Sequence, residues 1–240
     1  MADMELVVKK VIDSFYNYYT ADKRITSLCG RVRDGTATFA EANEYSIRCG
    51  NLLAKAYKQS LDMEALDYDS ALQLIQRPLL NNQSLIAKYC GGVQRNMNEK
   101  LGMQIKPVLP DPDMDRMMGL VKAISEAEPE DAISLFDEPI INYSQAVVDD
   151  SIRENASFYS DLGFRPQIIR EYEGPHDERG QTVDCQYCLN LAGTYDYADV
   201  RGSGSEIYKR HEGCRCTLTF VPSKGGRTKM VSRGNAFIRE

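Results

Sequence analysis

The sequence predicts an α+β fold that is mostly α, with a helical N-terminal body followed by a small C-terminal module that contains a few β-strands. Apolar residues recur at helical spacing through the first two thirds of the chain, whereas alternating β-type segments appear only towards its C-terminal end. Of the 240 residues, 42% are hydrophobic and 27% are charged, which is typical of a globular chain that can bury a core.

The N-terminal helices are predicted from apolar spacing and from helix start signals. A first helix is expected where apolar side chains share one face: Val8, Val11, Ile12, Phe15 and Tyr19. Gly30 and the stretch "RDGTAT" are expected to break this pattern. Thr38, with Glu41 three residues later, matches a capping box and begins a second helix that we expect to end near Leu61.

The next helical region is expected to be divided by a proline. Residues 70–76 are predicted to form a short helix that is broken near Pro78, and residues 84–101 a longer helix that stops at Gly102. Three cysteines are scattered through this half of the chain, and we interpret all of them as small buried hydrophobic residues: Cys29, Cys49 and Cys90.

The stretch "KPVLPDPDMD" (106–115) holds three prolines in ten residues and is the best candidate for a boundary. A helix is expected soon after it, and Pro129 suits the first turn of another. Asn142 with Gln145 resembles the cap of a last helix, for which Gly163 is a plausible stop.

Beyond Gly163 the pattern changes from helical to β-type. The segments "RPQIIREYEG" (165–174) and "CTLTFVP" (216–222) are predicted to be strands. In the second segment Leu218 and Phe220 alternate with threonines, which is typical of a strand with one buried face.

The C-terminal module concentrates the residue types that bind metals. Cys185-x2-Cys188 is followed, after 22 residues, by His211-x2-Cys214-x-Cys216. A Cys-x-x-Cys turn directs two thiolates to one point, and His211 with the cysteines after it offers a second pair. Together they match the tetrahedral N/S site that Zn²⁺ prefers. Five candidates compete for four places, and spacing alone leaves both Cys214 and Cys216 open as the fourth ligand.

Disulfides and a catalytic metal are the alternatives to a structural zinc. The N-terminus "MADMELVVKK" lacks a signal-peptide pattern, so we expect a cytosolic chain with thiols that are reduced or bound to metal. A catalytic zinc keeps an open position, whereas this cluster offers four or five soft ligands. We therefore expect a non-enzymatic protein, with no membrane span. His176 is interpreted as a loop residue rather than a further ligand or a base.

These observations predict four segments along the chain. They are a helical body (1–110), a helical continuation or connector (111–163), a zinc-binding α/β module (164–225) and a basic tail (226–240).

Three stretches of the C-terminal half carry a resemblance to a known family. They are "DEPIINYSQAVVDDSIRENASFYSDLGFRPQIIREYEG" (137–174), "CQYCLNLAGTYDYADV" (185–200) and "YKRHEGCRCTLTFVPSKG" (208–225). The chain resembles the phage minor head proteins of Gram-positive siphophages and prophages, also called head morphogenesis or minor capsid proteins. It is more distantly similar to the group of the Mu head protein F.

The resemblance implies a component of the virion or procapsid that associates with portal or capsid proteins during head assembly or DNA delivery. Such a protein acts in the host cytoplasm during assembly and in the virion head afterwards. The family motif falls on the five candidate zinc ligands. The resemblance also implies packing and turn roles beside the cluster for Leu191, Ala192, Gly193 and Tyr195.

A zinc module that binds nucleic acid through a basic tail is the second hypothesis. The net charge of −6 and the pI of about 5.2 argue against a chain that nucleic acid covers over its whole surface. The last twenty residues nevertheless oppose one acidic residue, Glu240, with five basic ones: Lys224, Arg227, Lys229, Arg233 and Arg239. Such a surplus is equally typical of a solvated tail, and the functional interpretation is a contact with packaged DNA or with an acidic partner.

Overall fold

The computed structural model describes residues 4–61, 65–174, 184–202 and 204–222. Its helices are α1 (Met4–Ala21), α2 (Lys23–Arg33), α3 (Phe39–Ser60), α4 (Tyr68–Lys100), α5 (Met114–Glu126), α6 (Pro129–Leu135), α7 (Glu138–Asp161), α8 (Gln186–Leu191) and α9 (Tyr197–Val200), with a 3₁₀ turn at Glu206–Tyr208. Its strands are β1 (Gln167–Glu171), β2 (Gly193–Asp196) and β3 (Thr217–Val221). His176 and the predicted basic tail (226–240) lie outside the described residues.

Helix α2 occupies a region where the sequence predicted a break. Gly30 lies inside this helix, so the predicted break at Gly30 was wrong, whereas the stretch "RDGTAT" (33–38) does separate α2 from α3, as predicted. The side chain of Asp22 caps α2 by accepting hydrogen bonds from the main-chain N–H groups of Arg24 and Ile25, at 2.8 and 2.9 Å. This cap and the burial of Ile25 and Leu28 outweigh the roughly 1 kcal/mol that a glycine costs inside a helix.

The start of α3 confirms the predicted capping box. The Thr38 hydroxyl accepts from the N–H of Glu41 at 3.2 Å, and the Glu41 carboxylate accepts from the N–H of Thr38 at 2.9 Å. The helix ends at Ser60, with Leu61 as its C-cap, which also agrees with the sequence.

Helix α4 runs through Pro78 without a break, so the predicted division into two helices was wrong. Proline has no N–H to donate to the carbonyl of Leu74, four residues earlier. The buried hydroxyl of Tyr57, on α3, donates to that carbonyl instead, at 3.2 Å. A tertiary hydrogen bond therefore replaces the missing helical one, and the helix continues to Lys100, before the predicted stop at Gly102.

The segment 106–115 is non-helical until α5 begins at Met114, and it is held against α4 and α7. Gln83 Nε2 donates to the carbonyl of Pro110 at 3.1 Å. The Asn155 side chain accepts from the N–H of Val108 at 3.2 Å and donates to its carbonyl at 3.0 Å. The division of the chain at this segment stays a prediction.

Helices α5 and α6 begin where the sequence predicted helices, but α7 begins before its predicted cap. The predicted apolar face of α5 is buried, and Pro129 occupies the first turn of α6. Helix α7 begins at Glu138, with Pro139 in its first turn, and places Asn142 and Gln145 inside the helix. The predicted cap at these two residues was therefore wrong, although the stop at Gly163 agrees with the observed end at Asp161.

The C-terminal strands form one antiparallel sheet in the order β2-β1-β3. Strands β1 and β3 confirm the sequence prediction and pair from Gln167 opposite Val221 to Glu171 opposite Thr217. Strand β2 was not predicted, and it pairs with the other edge of β1. Gly193 opens β2, and the Tyr195 hydroxyl donates to the carbonyl of Leu191 at 3.0 Å.

The sheet and the helices share one apolar core. Phe220 of β3 packs edge-on against Phe39 of α3 and Tyr159 of α7, with ring centroids 6.0 and 5.3 Å apart. Helices α3 and α7 approach closely at Gly50, where a Cβ would lie only 2.9 Å from the Cα of Ile141. Strand β3 is therefore covered by the two helices that pack most closely on each other.

The observed architecture confirms a mostly helical α+β fold. Cys49 and Cys90 are buried in its core, as predicted, whereas Cys29 is only half-buried. Burial raises the pKa of the Cys90 thiol to about 12. Among the described residues, no helix combines the length and the apolar character that crossing a bilayer requires.

Candidate metal centre

Two short turns bring all five predicted donors into one cluster. The Sγ atoms of Cys185 and Cys188 lie 3.2 and 2.9 Å from Nε2 of His211. The Sγ atom of Cys188 lies 3.8 Å from that of Cys214. Two sulfurs bound tetrahedrally to one Zn²⁺ would be about 3.8 Å apart, since each Zn–S bond is about 2.3 Å. The cluster therefore has the dimensions of a metal site.

The donors form two overlapping groups of three that share Cys188. One group holds Cys185, Cys188 and His211, and the other holds Cys188, Cys214 and Cys216. Within each group the donor atoms lie within 4.8 Å of one another, and each group could hold a metal ion. Cys188 is thus the centre of the cluster, and both Cys214 and Cys216 remain within reach of it.

The first turn is the N-terminus of helix α8. Cys185 is its N-cap, and the Cys185 sulfur accepts a long hydrogen bond of 3.5 Å from the N–H of Cys188. The N–H of Cys185 itself donates to the hydroxyl of Tyr172, just beyond β1, at 3.0 Å. These two hydrogen bonds fix the position of Cys185 at the start of α8.

The second turn, residues 211–214, presents His211 in the orientation that a metal ligand needs. Gly213 adopts a positive φ of 70°, and the N–H of Cys214 donates to the carbonyl of His211 at 3.2 Å. The Nδ1 atom of His211 lies 2.6 Å from the carbonyl oxygen of Glu212. A proton on Nδ1 is thereby held by the main chain, which leaves the lone pair of Nε2 directed at the thiols.

The thiols are buried in a small apolar cluster apart from the main core. Cys188, Cys214 and Cys216 are fully buried, and Tyr172 and Cys185 pack against them. Burial raises the pKa of Cys188 to about 11. A hydrogen bond between Cys214 and Cys216 raises the pKa of the first thiol and lowers that of the second to about 4, so that the pair holds one proton between them.

Two buried arginines face the same sulfur. Arg170 on β1 is 1% exposed, and its Nη2 lies 3.6 Å from the Sγ atom of Cys214. Its Nη1 donates to the carbonyls of Ile207 and Lys209. Arg210 Nη1 lies 3.9 Å from the same sulfur and donates to the carbonyl of Cys216 at 2.7 Å.

The two arginines differ in their counter-charges. Arg210 forms a buried, two-pronged ion pair with Asp149 of α7, at 2.6 and 2.8 Å. Burial alone would lower the pKa of Arg210, but the Asp149 carboxylate raises it on balance. Among the described residues, Arg170 has no carboxylate partner, and its Nε has no hydrogen-bond partner. The partners of the Arg170 guanidinium among the described residues are therefore two carbonyls and the Cys214 sulfur.

Comparisons of the chain with protein-family models, curated proteins and solved structures find no match. The interpretation of the centre therefore depends on its geometry, and the resemblance to phage minor head proteins stays a hypothesis.

Helix α7 contributes a polar stripe that clamps the second turn, and the sequence did not assign this role. Glu138 accepts from the N–H of Gly213 at 3.1 Å and forms a two-pronged ion pair with Arg215. Asn142 Nδ2 donates to the carbonyl of His211 at 3.3 Å. Asp149 continues the stripe at the same helical face through its pair with Arg210.

Polar residues at helical spacing were the signal that could have revealed this stripe: Glu138, Asn142, Gln145 and Asp149. Gln145 donates to Asn43 on α3, and Asn43 in turn donates to the Thr217 hydroxyl on β3, both at 3.3 Å. The start of β3 is therefore linked to both α3 and α7 through buried hydrogen bonds.

Proposed function

We propose that the protein is a non-enzymatic minor capsid protein for phage head morphogenesis whose C-terminal module is held by a structural zinc ion. The observation that carries the metal is that two groups of three donors, each with its donor atoms within 4.8 Å of one another, meet at the buried Cys188. The buried Arg170 guanidinium, which faces Cys214 and lacks a carboxylate partner among the described residues, supports a cluster of negative charge. An uncompensated buried cation costs several kcal/mol, so the cluster has to be negative.

A zinc centre supplies this charge in the required amount. Three thiolates, one neutral imidazole and Zn²⁺ carry a net charge of −1, which is equal and opposite to that of Arg170. Asp149 already balances Arg210. The residues present therefore fit zinc, with Cys185, Cys188, His211 and either Cys214 or Cys216 as ligands. The bound ion would supply folding free energy to a module with few apolar residues of its own.

The donor set favours a structural role over a catalytic one. A catalytic zinc uses three protein ligands and keeps a fourth position for water. Here five donors form two overlapping groups that share Cys188, and the three most buried of them are completely excluded from solvent. The clamp from α7 then transmits the rigidity of the centre to the helical body through Arg210 and Arg215.

The assembly role is supported by the combination of motifs that resembles phage minor head proteins. In this role the helical body binds portal or capsid proteins, first in the host cytoplasm and later in the virion head. The module held by the metal packs on α3 and α7 through β3. It would therefore keep these two helices in one arrangement, which suits a protein that has to fit a symmetric assembly.

The metal is tested by elemental mass spectrometry of the purified protein, with a thiol count before and after chelation. We expect one zinc per chain and three or four thiols that become reactive only after chelation. A metal-free protein in which the four cysteines of the cluster react without chelation would overturn the zinc centre. In that case Cys216, whose pKa the hydrogen bond with Cys214 lowers to about 4, would have to be considered for redox chemistry.

The assembly role is tested by producing the chain together with the portal and major capsid proteins of the genome that encodes it. We expect the chain to sediment with procapsids in a density gradient and a variant with Glu138→Ala and Arg215→Ala to do so less. A chain that stays at the top of the gradient in the presence of intact procapsids would contradict the proposal.

Contact with DNA through residues 226–240 is the second candidate, and it stands on the basic composition of that segment alone. Phosphate contacts make affinity fall steeply as salt is added. We expect the full chain to bind duplex DNA at low salt and a chain shortened to residue 222 to lose that binding. Equal affinity of the two chains would exclude the tail as the contact.

A further inference from the structure

One of the four cysteines in the candidate metal centre is open to solvent, and the other three are not. Cys188, Cys214 and Cys216 are fully buried, whereas Cys185 is half-buried and both of its neighbours in sequence are exposed. Cysteine oxidation follows thiolate character and exposure, and a cysteine bound to zinc is a thiolate. A water-borne oxidant therefore meets the centre first at Cys185.

The thiol within reach of Cys185 is that of Cys188. These two residues and His211 form one donor group, in which all donor atoms lie within 4.8 Å of one another. The other two cysteines belong to the second group, which does not include Cys185. One of them, Cys214, also has two arginine nitrogens 3.6 and 3.9 Å from its sulfur. An oxidised sulfur at position 185 would therefore react with Cys188.

The main chain at this turn suits a disulfide between the two cysteines. Cys185 is the N-cap of α8, and Cys188 is the third residue inside the helix. Cα atoms three residues apart in an α-helix are separated by about 5 Å. Disulfides span Cα separations of about 4.4–6.8 Å, so the bond can form without unwinding the first turn of α8.

We propose that Cys185 and Cys188 form a redox switch that releases the metal. A hydroperoxide oxidises the half-buried Cys185, Cys188 closes a disulfide with it, and the zinc ion leaves. The inference rests on the proposed zinc centre and deepens it, because it names the chemical class that regulates the site and the two residues that respond to it.

The hydroperoxide supplies the oxidising equivalents in two steps. The Cys185 thiolate attacks one peroxide oxygen, the O–O bond breaks, and a sulfenic acid forms while the other oxygen leaves as hydroxide or alkoxide. The Cys188 thiolate then attacks the oxidised sulfur, the S–O bond breaks, and the S–S bond forms as hydroxide leaves. The two thiolates lose two electrons in total, and these reduce the O–O bond.

The disulfide removes two of the four zinc ligands. His211 and one buried cysteine remain, which is fewer than any zinc site in proteins uses. Since a structural zinc ion contributes folding free energy, its release would remove protection from residues 184–222. Reduction by a thiol restores both thiolates, so the switch is reversible.

The test treats the full metal-bound chain with hydrogen peroxide and follows zinc release with a chromogenic chelator. Samples taken at successive times are blocked at their free thiols, and their disulfides are located by peptide mass spectrometry. We expect one zinc released for each chain in which Cys185 and Cys188 are linked, while Cys214 and Cys216 are still reduced. Dithiothreitol with added zinc should restore the metal content.

Three variants separate the switch from other thiol oxidation. Cys29 is the other half-buried cysteine of the described chain and lies in α2, so Cys29→Ser should leave zinc release unchanged. Cys214→Ser and Cys216→Ser each remove one buried thiol, and one of them should retain zinc because four of the five donors are sufficient. That variant should form the same disulfide and release its zinc as readily as the parent chain.

The switch is overturned if the first disulfide contains Cys214 or Cys216, or if zinc stays bound after Cys185 and Cys188 are linked. Release of zinc while both of these cysteines remain reduced overturns it as well. Zinc content is measured before the oxidant is added. One zinc per chain followed by any of these results refutes the switch alone, whereas a chain without zinc refutes the zinc centre and the switch with it.

Discussion

Replacing Arg170 by methionine tests whether a negative metal–thiolate cluster balances this buried cation. Methionine keeps much of the volume and removes the charge that lies 3.6 Å from the Cys214 sulfur. At an effective dielectric constant of about 20, two unit charges at that separation attract by about 4–5 kcal/mol. Desolvation offsets part of this, and hydrogen bonds to charged groups contribute about 1.5–3 kcal/mol net.

We therefore expect Arg170→Met to raise the dissociation constant for zinc by roughly 10–100-fold, as is typical when a group that contacts a metal ligand is lost. The size of the effect on stability should depend on the metal. With zinc bound, the variant loses an attractive partner and unfolds more easily. After chelation Arg170 still faces the Cys216 thiol, whose pKa is lowered, so the loss of stability should be smaller than with zinc bound.

The assay is competition against a chromogenic zinc chelator, with urea unfolding of the metal-bound and chelated proteins. Arg77→Met is the matched control, because Arg77 is 63% exposed and pairs with Glu5 far along the sequence from the cluster. Arg170→Lys keeps the charge and should retain most of the zinc affinity. A folded Arg170→Met protein that binds zinc as tightly as the control would refute the charge-balance reasoning.

Three further outcomes are expected. Cys185→Ser should release the metal and remove hydrogen-exchange protection from residues 184–222 while most of the helical circular dichroism remains; loss of the entire helical signal would contradict a two-part protein. Burial raises the pKa of the Asp150 carboxyl from 3.8 to about 6, so the free energy of unfolding of the parent chain should fall by about 1–3 kcal/mol as pH rises through 6. Urea titrations at pH values of about 5 and 8 should show this fall in the parent chain and not in Asp150→Asn. An equal fall in the two chains would refute the role given to Asp150. Tyr57→Phe leaves the carbonyl of Leu74 without its donor and should lower the free energy of unfolding by about 1–3 kcal/mol, whereas the exposed Tyr68→Phe should lower it by less than about 1; similar losses would contradict the role given to Tyr57.

The elements that the sequence predicted correctly are those fixed by neighbouring residues. The capping box of Thr38 and Glu41 satisfies its own donors, and the alternation of Leu218 and Phe220 reflects one buried strand face. The five candidate donors, which the structure brings into two groups that could hold a metal ion, were also identified from spacing, because two tight turns each direct their side chains to one side. Local chemistry is sufficient in all of these cases.

The predictions that failed concern residues whose partners are distant in sequence. Pro78 would end an isolated helix, but Tyr57, on another helix, supplies the missing donor. Asn142 and Gln145 resemble a cap because they are polar, yet they are polar because β3 and the turn at His211 pack against them. The choice between Cys214 and Cys216 stays open for a related reason, since both sulfurs lie in the same buried group.

The pairing of Asp149 with Arg210 also bears on the order in which the chain matures during synthesis. The two residues are 61 positions apart, so at roughly 5–20 residues per second the ribosome adds Arg210 several seconds after Asp149. Until then water has to hydrate the Asp149 carboxylate, so the face of α7 that later packs against the turn at residues 211–214 stays exposed to solvent. The helical body thus reaches its final packing only when the last cysteines have been made. In the proposed assembly role, zinc supply at that moment would set the time at which a newly made chain becomes competent for assembly.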